Sequence, residues 1–113
     1  MISAIGTDIV ETDRVRKVLS DAFARKVLSA KEFDLFQTMS EERKILFIAG
    51  RFAAKEAIIK CLSMYEIPEM NHLEIINDEK GKPKIVYKNY QILLSISHEK
   101  HYAIATALLQ EEE

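Results

Sequence analysis

The chain has 113 residues, of which 48% are hydrophobic and 30% are charged, and its formal net charge is −2 at pH 7. This composition is typical of a folded globular protein and excludes a disordered chain. The slightly acidic balance provides no bulk positive field for nucleic acid. A chain of this length predicts one domain, residues 1–113, whose small core would benefit from oligomerisation.

The sequence also predicts a compartment. Cys61 is the only cysteine, so neither a disulfide framework nor a cysteine-based zinc site is expected. Asp8, Glu11 and Asp13 interrupt any apolar run of the signal-peptide type. The longest apolar run, residues 45–49, is too short to span a bilayer. We therefore expect a cytoplasmic protein that binds neither membrane nor nucleic acid.

The first predicted element is a β-strand over residues 2–11, which are rich in Val, Ile and Thr. In a strand, Gly6, Asp8 and Val10 share one face. Asp8 then lies between residues of apolar character, where a carboxylate favours a cation, either Lys/Arg or a metal ion. The alternative is an ordinary aspartate at a strand end or in a turn.

A helix capped by Thr12 or Asp13 is predicted to run to about residue 19. It belongs to a locally basic segment, which suits an acidic protein partner or a phosphate-bearing ligand as well as it suits a solvated helix face. The basic residues of this segment are Arg14, Arg16, Lys17, Arg25 and Lys26.

Two further helices follow. Ser29 and Glu32 fit a capping box that begins a helix ending at about residue 38. Ser40 then caps a long helix that we expect to reach about residue 64 and, because its apolar face is broad, to be the central buried helix. Gly50 within this helix indicates close packing, because glycine is unfavourable in a helix interior.

The second half of the chain is predicted to be β-structure. Residues 72–77 and 84–87 flank a turn at 78–81, and residues 92–97 and 102–109 alternate as strands do. Helices followed by an antiparallel sheet indicate an α+β fold, with the long helix packed on the sheet.

Within the long helix, Phe52, Glu56 and Lys60 recur every four residues and therefore share one side. The carboxylate and ammonium form either an exposed i, i+4 ion pair or the floor of a site. Together, Asp8 and Glu56 are suited to a hard divalent cation such as Mg²⁺, which one or two carboxylates hold with water and phosphate. Taken alone, His98 is better explained as a structural or surface histidine.

Several motifs, in this order, identify a resemblance. They are Ile5-Gly6-Thr7-Asp8-Ile9-Val10-Glu11, Gly50-Arg51-Phe52-Ala53-Ala54-Lys55-Glu56-Ala57 with Lys60, Gly81-Lys82-Pro83, and Ser95-Ile96-Ser97-His98 with Tyr102-Ala103. The chain resembles, from residue 1 to about 109, the holo-acyl-carrier-protein synthase family of 4′-phosphopantetheinyl transferases. The resemblance implies an α+β fold and transfer of 4′-phosphopantetheine from coenzyme A to a serine of apo acyl carrier protein, in support of fatty acid biosynthesis. It also implies release of adenosine 3′,5′-bisphosphate, a requirement for Mg²⁺, and a homotrimer with sites at the subunit interfaces.

The resemblance further implies residue roles. Asp8 and Glu56 match the metal ligands and, with Lys60 near the pyrophosphate, the catalytic set. Coenzyme A binding falls to Arg43, Arg51, Lys60, Lys82, Pro83 and His98. Arg14 and Arg25 match positions that dock the carrier protein. The base that deprotonates the serine is either Glu56 or a metal-bound water.

The chain departs from the family after Lys60, where a glycine-rich turn is usual. Here residues 61–68 contain no glycine, so we expect altered contacts with coenzyme A at this loop. A second hypothesis is a non-catalytic module that binds the carrier protein on the same scaffold.

Overall fold

The computed structural model describes residues 1–111, in which one strand is followed by four helices and then by the remaining strands. The elements are β1 (Ile2–Glu11), α1 (Thr12–Val18), α2 (Asp21–Val27), α3 (Ala30–Gln37), α4 (Glu41–Leu62), a 3-10 turn (Met70–His72), β2 (Ile75–Asn77), β3 (Pro83–Ile85), β4 (Gln91–His98) and β5 (Tyr102–Gln110). The α+β prediction is confirmed.

The main sheet is antiparallel, with β5 at its centre and β1 and β4 at its edges. A smaller antiparallel pair joins β2 to β3. As predicted, Gly6, Asp8 and Val10 point to the less exposed face of β1. In the register of the sheet, Asp8 lies opposite Ala105 of β5.

Helix α4 packs across this inner face. Its alanines, including Ala53 and Ala57, are fully buried against small residues of β5 such as Ala105 and Ala107. Small side chains on both elements let the helix approach the sheet closely. The prediction of a central buried helix is therefore confirmed, although α4 ends at Leu62 rather than near residue 64.

The capping predictions have mixed outcomes. Ser29 and Glu32 form the predicted capping box, and Ser40 caps α4 by accepting a hydrogen bond from the Arg43 N–H. The predicted cap of α1 is wrong, because Thr12 already lies inside the helix and its Oγ1 donates to the Lys100 carbonyl at 2.8 Å.

Helix α2 was not predicted. It has seven residues and is capped by Ser20, whose Oγ accepts from the Phe23 N–H at 3.1 Å. So short a helix shows too little periodicity to be recognised in the sequence. The strand predicted at 72–77 is also shorter, since residues 72–74 precede β2 and His72 belongs to the 3-10 turn. No helix within residues 1–111 is long and apolar enough to cross a membrane.

Candidate active site

Two cavities lie beside α4, at opposite edges of the main sheet. The larger, about 640 Å³, borders the edge strand β1 and holds Asp8, Glu56 and Arg14; we call it the carboxylate cavity. The smaller, about 200 Å³, borders the other edge strand, β4, and holds Arg43 and His98; we call it the arginine cavity. The residues proposed to react and those proposed to bind nucleotide are thus divided between the two.

The carboxylate cavity depends on the close contact between β1 and α4. A Cβ atom on Gly6 would overlap the carbonyl oxygen of Ala57 and would lie 3.0 Å from the Lys60 Cβ. Because Gly6 lacks that atom, β1 lies directly on the helix. Asp8, two residues along the same face of the strand, is thereby brought beside the helix segment that carries Glu56 and Lys60.

Lys60 connects the two elements. Its Nζ donates to the Thr7 carbonyl at 2.7 Å and lies 3.5 Å from Asp8 Oδ1. The alternative of a Glu56–Lys60 ion pair is not formed, and among residues 1–111 the Glu56 carboxylate has no ion-pair partner. Glu56 therefore lines the cavity with a carboxylate that no salt bridge engages within the described residues.

The donor set of this cavity fits a hard cation. Asp8 and Glu56 supply carboxylate oxygens, and the residues described include no cluster of three or more His, Cys, Asp or Glu side chains that would enclose a metal. Mg²⁺ is held in this open way, by one or two carboxylates, with water and substrate phosphates as its remaining ligands. These two residues therefore suit Mg²⁺ and leave room for a phosphate.

The rest of the carboxylate cavity is mostly apolar, with Glu11 and Tyr102 as its other polar residues. Val10, Val15, Val18, Phe23 and Phe52 line it, and the Phe23 and Phe52 rings stack with centroids 6.1 Å apart. An apolar wall beside charged groups is typical of a binding site for a mixed polar and apolar ligand.

The arginine cavity gathers four of the residues that the sequence assigned to coenzyme A. Arg43 and Arg51 of α4, Pro83 of β3 and His98 of β4 all line it. Lys82 precedes Pro83 and is exposed, but it is not among the lining residues. A cluster of cationic and ring side chains at a cleft suits a phosphorylated nucleotide.

Arg51 is the most constrained of these residues. Only 7% of the residue is exposed, its Nη2 donates to the Ile75 carbonyl at 3.3 Å, and its Nε lies 3.3 Å from Glu32 Oε2. The guanidinium also lies over the Phe47 ring, 4.6 Å from its centroid. Burial lowers the pKa of Arg51, while the Glu32 carboxylate opposes that shift.

The sequence did not predict the buried charges beneath this cavity. Lys55 is fully buried, and its Nζ donates to Glu32 Oε1 at 2.5 Å and to the Val27 carbonyl at 2.7 Å. Burial lowers the pKa of Lys55. One sequence signal could have indicated that Lys55 is buried. It lies between Ala54 and Glu56 on a helix whose apolar residues cover the side on which Lys55 falls.

The glycine-free loop after Lys60 is fastened to the turn before β4. The carboxylate of Glu66 accepts hydrogen bonds from the hydroxyls of Tyr87 and Tyr90, both at 2.9 Å, and from Lys88 Nζ at 2.9 Å. Lys88 adopts a positive φ of 52°, which L-residues seldom do. The loop is therefore held in place by side-chain hydrogen bonds.

The basic residues near the N-terminus differ in how available they are. Arg14 lines the carboxylate cavity. Arg25 lies outside it, with its guanidinium 4.1 Å from the Phe33 ring centroid. Arg16 is engaged by Glu42 through two hydrogen bonds. Of the two predicted docking residues, only Arg14 is placed beside the reacting groups.

The outer face of the main sheet carries apolar side chains that residues 1–111 leave exposed. Ile5 and Ile9 of β1 are 67% and 61% exposed, and Leu93 of β4 and Ile104 of β5 are 48% and 45% exposed. Several large apolar side chains exposed on one face of a sheet indicate an interaction site.

Comparison with known proteins agrees with this geometry. Residues 4–107 match the family model described as the 4′-phosphopantetheinyl transferase superfamily. A holo-[acyl-carrier-protein] synthase of Staphylococcus aureus (strain JH9) is 39% identical, over 97% of each chain. The crystal structure of a holo-(acyl-carrier-protein) synthase from Bacillus anthracis str. Ames in complex with CoA (3′,5′-ADP) superposes with a TM-score of 0.90 at 35% identity, covering 99% of each chain.

A second solved structure, the Helicobacter pylori holo-[acyl-carrier-protein] synthase in complex with coenzyme A, has a TM-score of 0.80 at 30% identity and covers 95% of this chain and 100% of its own. The fold, a long helix on an antiparallel sheet, is thus shared with solved holo-[acyl-carrier-protein] synthases. The chain belongs to the 4′-phosphopantetheinyl transferase superfamily. The resemblance inferred from the motifs is confirmed, and the protein is an enzyme of this class.

Proposed function

We propose that the protein transfers 4′-phosphopantetheine from coenzyme A to a serine of apo acyl carrier protein, with Mg²⁺, and releases adenosine 3′,5′-bisphosphate in support of fatty acid biosynthesis. The observation that supports this most directly is the convergence of Asp8 and Glu56 on one cavity, with Lys60 bonded to the same strand. The relatives named holo-acyl-carrier-protein synthase agree with it.

Each reacting residue has a role that its position supports. Asp8 and Glu56 would hold Mg²⁺, which when bound supplies charge neutralisation at the pyrophosphate. The Lys60 ammonium lies next to Asp8, where it can donate to the phosphate oxygen that gains charge as the bond to the leaving nucleotide breaks. Glu56 has no partner within the described residues and is one candidate to accept the serine proton; a metal-bound water is the other.

The nucleotide part of coenzyme A is assigned to the arginine cavity. Arg43, Arg51 and His98 would face its phosphates, with Pro83 in the wall and Lys82 at the exposed rim of the turn. The coenzyme A complexes of the Bacillus anthracis and Helicobacter pylori proteins support a nucleotide ligand.

The separation of the two cavities supports a homotrimer with composite sites. Within one chain, the arginine cavity borders β4 and the carboxylate cavity borders β1. A neighbouring subunit could bring its arginine cavity to the carboxylate cavity of the first, and the exposed Ile5, Ile9 and Ile104 provide an apolar interface for such packing. Residues 1–113 would form a single domain of each subunit.

Carrier docking is assigned to the basic segment. Arg14 is placed beside the carboxylate cavity, where it can attract an acidic carrier protein. Arg25 extends the same positive surface from α2. A cytoplasmic location stays a prediction.

The test is a mass measurement on the carrier protein. We would mix the protein with coenzyme A, Mg²⁺ and apo acyl carrier protein, and measure the carrier with and without a chelator. A gain of one phosphopantetheine arm that disappears with chelator supports the reaction and its metal. Asp8→Ala and Glu56→Ala should each abolish the gain and stay folded.

Near-normal transfer by either variant would overturn the metal assignment. No gain with any of several carriers, together with preserved carrier binding and absent coenzyme A binding in calorimetry, would favour the non-catalytic binding module instead.

A further inference from the structure

The Glu32 carboxylate makes more contacts than its place in a capping box requires. Its carboxylate is 2% exposed, and both oxygens are fully engaged. Oε1 accepts from the Ser29 N–H at 2.8 Å and from Lys55 Nζ, and Oε2 accepts from the Ile75 N–H at 3.1 Å and faces Arg51 Nε. A cap requires only the first of these contacts.

Stability alone does not account for this cluster. Removing charges from water costs several kcal/mol for each ion, and well-packed apolar residues in place of a buried ion pair are often as stable. A buried carboxylate with two buried cations is thus better explained by the geometry that it imposes on its surroundings.

That geometry concerns β2. The Ile75 N–H donates to Glu32, and the Ile75 carbonyl accepts from Arg51 Nη2. Both backbone groups of Ile75 are therefore held by the cluster. Asn77, at the end of the same strand, lines the arginine cavity, as does Pro83, which pairs with it in β3. The β2–β3 hairpin forms one wall of the arginine cavity and α4 forms another. Glu32 and Arg51 together hold the hairpin in position relative to α4.

We propose that Glu32 is a positioning residue for the nucleotide-binding cavity, acting through Arg51 and Ile75 to set the distance between the β2–β3 hairpin and α4. This inference rests on the proposed function, because it assigns a nucleotide to the arginine cavity. Lys55 balances the carboxylate and anchors it to the end of α2 through the Val27 carbonyl.

The first test is Glu32→Gln. The glutamine amide has one acceptor oxygen where the glutamate carboxylate has two. Its NH₂ group would face either the Ile75 N–H or the Lys55 ammonium, and that donor would lose its hydrogen bond. We expect KM for coenzyme A and Kd for adenosine 3′,5′-bisphosphate to rise roughly ten- to a hundredfold, as for other residues that act through a ligand-binding group. The value of kcat at saturating coenzyme A should change far less, because Asp8 and Glu56 line the other cavity and Lys60 contacts Asp8 there.

Two variants separate positioning from general destabilisation. Ser29→Ala removes the cap of α3 and the hydroxyl bond to Glu74, but it leaves the Glu32 carboxylate and its bonds to Ile75 and Lys55 in place. It should lower Tm and leave both nucleotide constants near those of the unmodified protein. The double variant Glu32→Gln with Lys55→Met removes one anion and one cation. It keeps the charge balance, which protects folding if Glu32→Gln alone does not fold, and it should still weaken nucleotide binding.

A rise in KM and Kd in the Ser29→Ala variant equal to that in Glu32→Gln would overturn the proposal, as would unchanged nucleotide binding in the double variant. Calorimetry with adenosine 3′,5′-bisphosphate requires no transfer. If the unmodified protein binds this nucleotide but transfers no arm, the proposed function fails while the role of Glu32 is still decided by binding.

Discussion

Gly6 of β1 and Ala57 of α4 are in such close contact that any side chain at residue 6 would overlap the Ala57 carbonyl. We expect Gly6→Ala to destabilise the fold by about 1–3 kcal/mol, the usual cost of overpacking, and to abolish most transfer because Asp8 moves away from Lys60. Thermal unfolding and the carrier mass assay measure the two effects.

Gly50→Ala is the matched control for Gly6→Ala. A Cβ there would meet only the Ile96 Cγ2 methyl, at 3.3 Å, a contact that a small shift of that side chain relieves, and alanine improves helix propensity by roughly 1 kcal/mol. Equal destabilisation by both substitutions would contradict the importance of the Gly6 contact.

Lys60→Met should reduce kcat by roughly 100- to 1,000-fold, the usual effect of removing a group that stabilises developing charge. Tm should change little, because Lys60 is 52% exposed and pairs with Asp8 at 3.5 Å, and exposed pairs contribute little to stability. Single-turnover transfer measures the chemical step. A variant with normal kcat would exclude Lys60 from catalysis.

The composite-site model predicts complementation between inactive subunits. Asp8→Ala damages only the carboxylate cavity and Arg43→Ala only the arginine cavity. When the two variants are unfolded and refolded together as trimers, about a quarter of the sites should be intact and activity should return in proportion. Each variant refolded alone is the control. No recovery in mixed trimers would indicate that both cavities of a site come from one chain.

If Arg14 docks the carrier protein, changing it should weaken carrier binding without affecting coenzyme A binding. Arg14→Glu should raise KM for the carrier protein and weaken the salt dependence of that constant, while KM for coenzyme A is unchanged. Arg16→Gln is a useful comparison, since Glu42 already engages that guanidinium, and it should have the smaller effect. Equal effects of both changes would show a diffuse charge attraction without a specific contact at Arg14.

Glu66 predicts a pH effect on stability. Hydrogen bonds from Lys88, Tyr87 and Tyr90 lower the pKa of its carboxyl below the ordinary value of 4.5. A lowered pKa contributes stability that is present above the unfolded value and is lost as the pH falls through the folded one. Tm should therefore fall on acidification below about pH 4.5, and Glu66→Gln should reduce that fall. An unchanged acid dependence in the variant would contradict this.

The sequence predicted the fold well where periodicity was long. Strand β1 was recognised from its content of Val, Ile and Thr, and helix α4 from apolar spacing over several turns. Helix α2 was missed because seven residues present less than two turns. The cap at Thr12 was wrong because its hydroxyl bonds to Lys100, a partner distant in sequence.

The candidate site could be predicted from local spacing only in part. Spacing placed Asp8 on an inner strand face and Glu56 and Lys60 on one side of a helix, but it left an ordinary aspartate and an exposed ion pair as alternatives. The roles proposed for these residues rest on the resemblance to the family. The division of the remaining residues between two cavities depends on sheet order, which spacing does not encode. The Glu32–Lys55 pair likewise joins two helices whose packing no local pattern specifies.

The pairing of β1 with β5 has a consequence for how the protein is made. The first strand of the chain pairs along its length with the last, and β5 is the centre of the sheet. During synthesis, β1 therefore emerges from the ribosome well before β5, the strand with which it pairs. Its apolar side chains stay exposed for that time, which makes the nascent chain dependent on rapid completion or on chaperones to avoid aggregation.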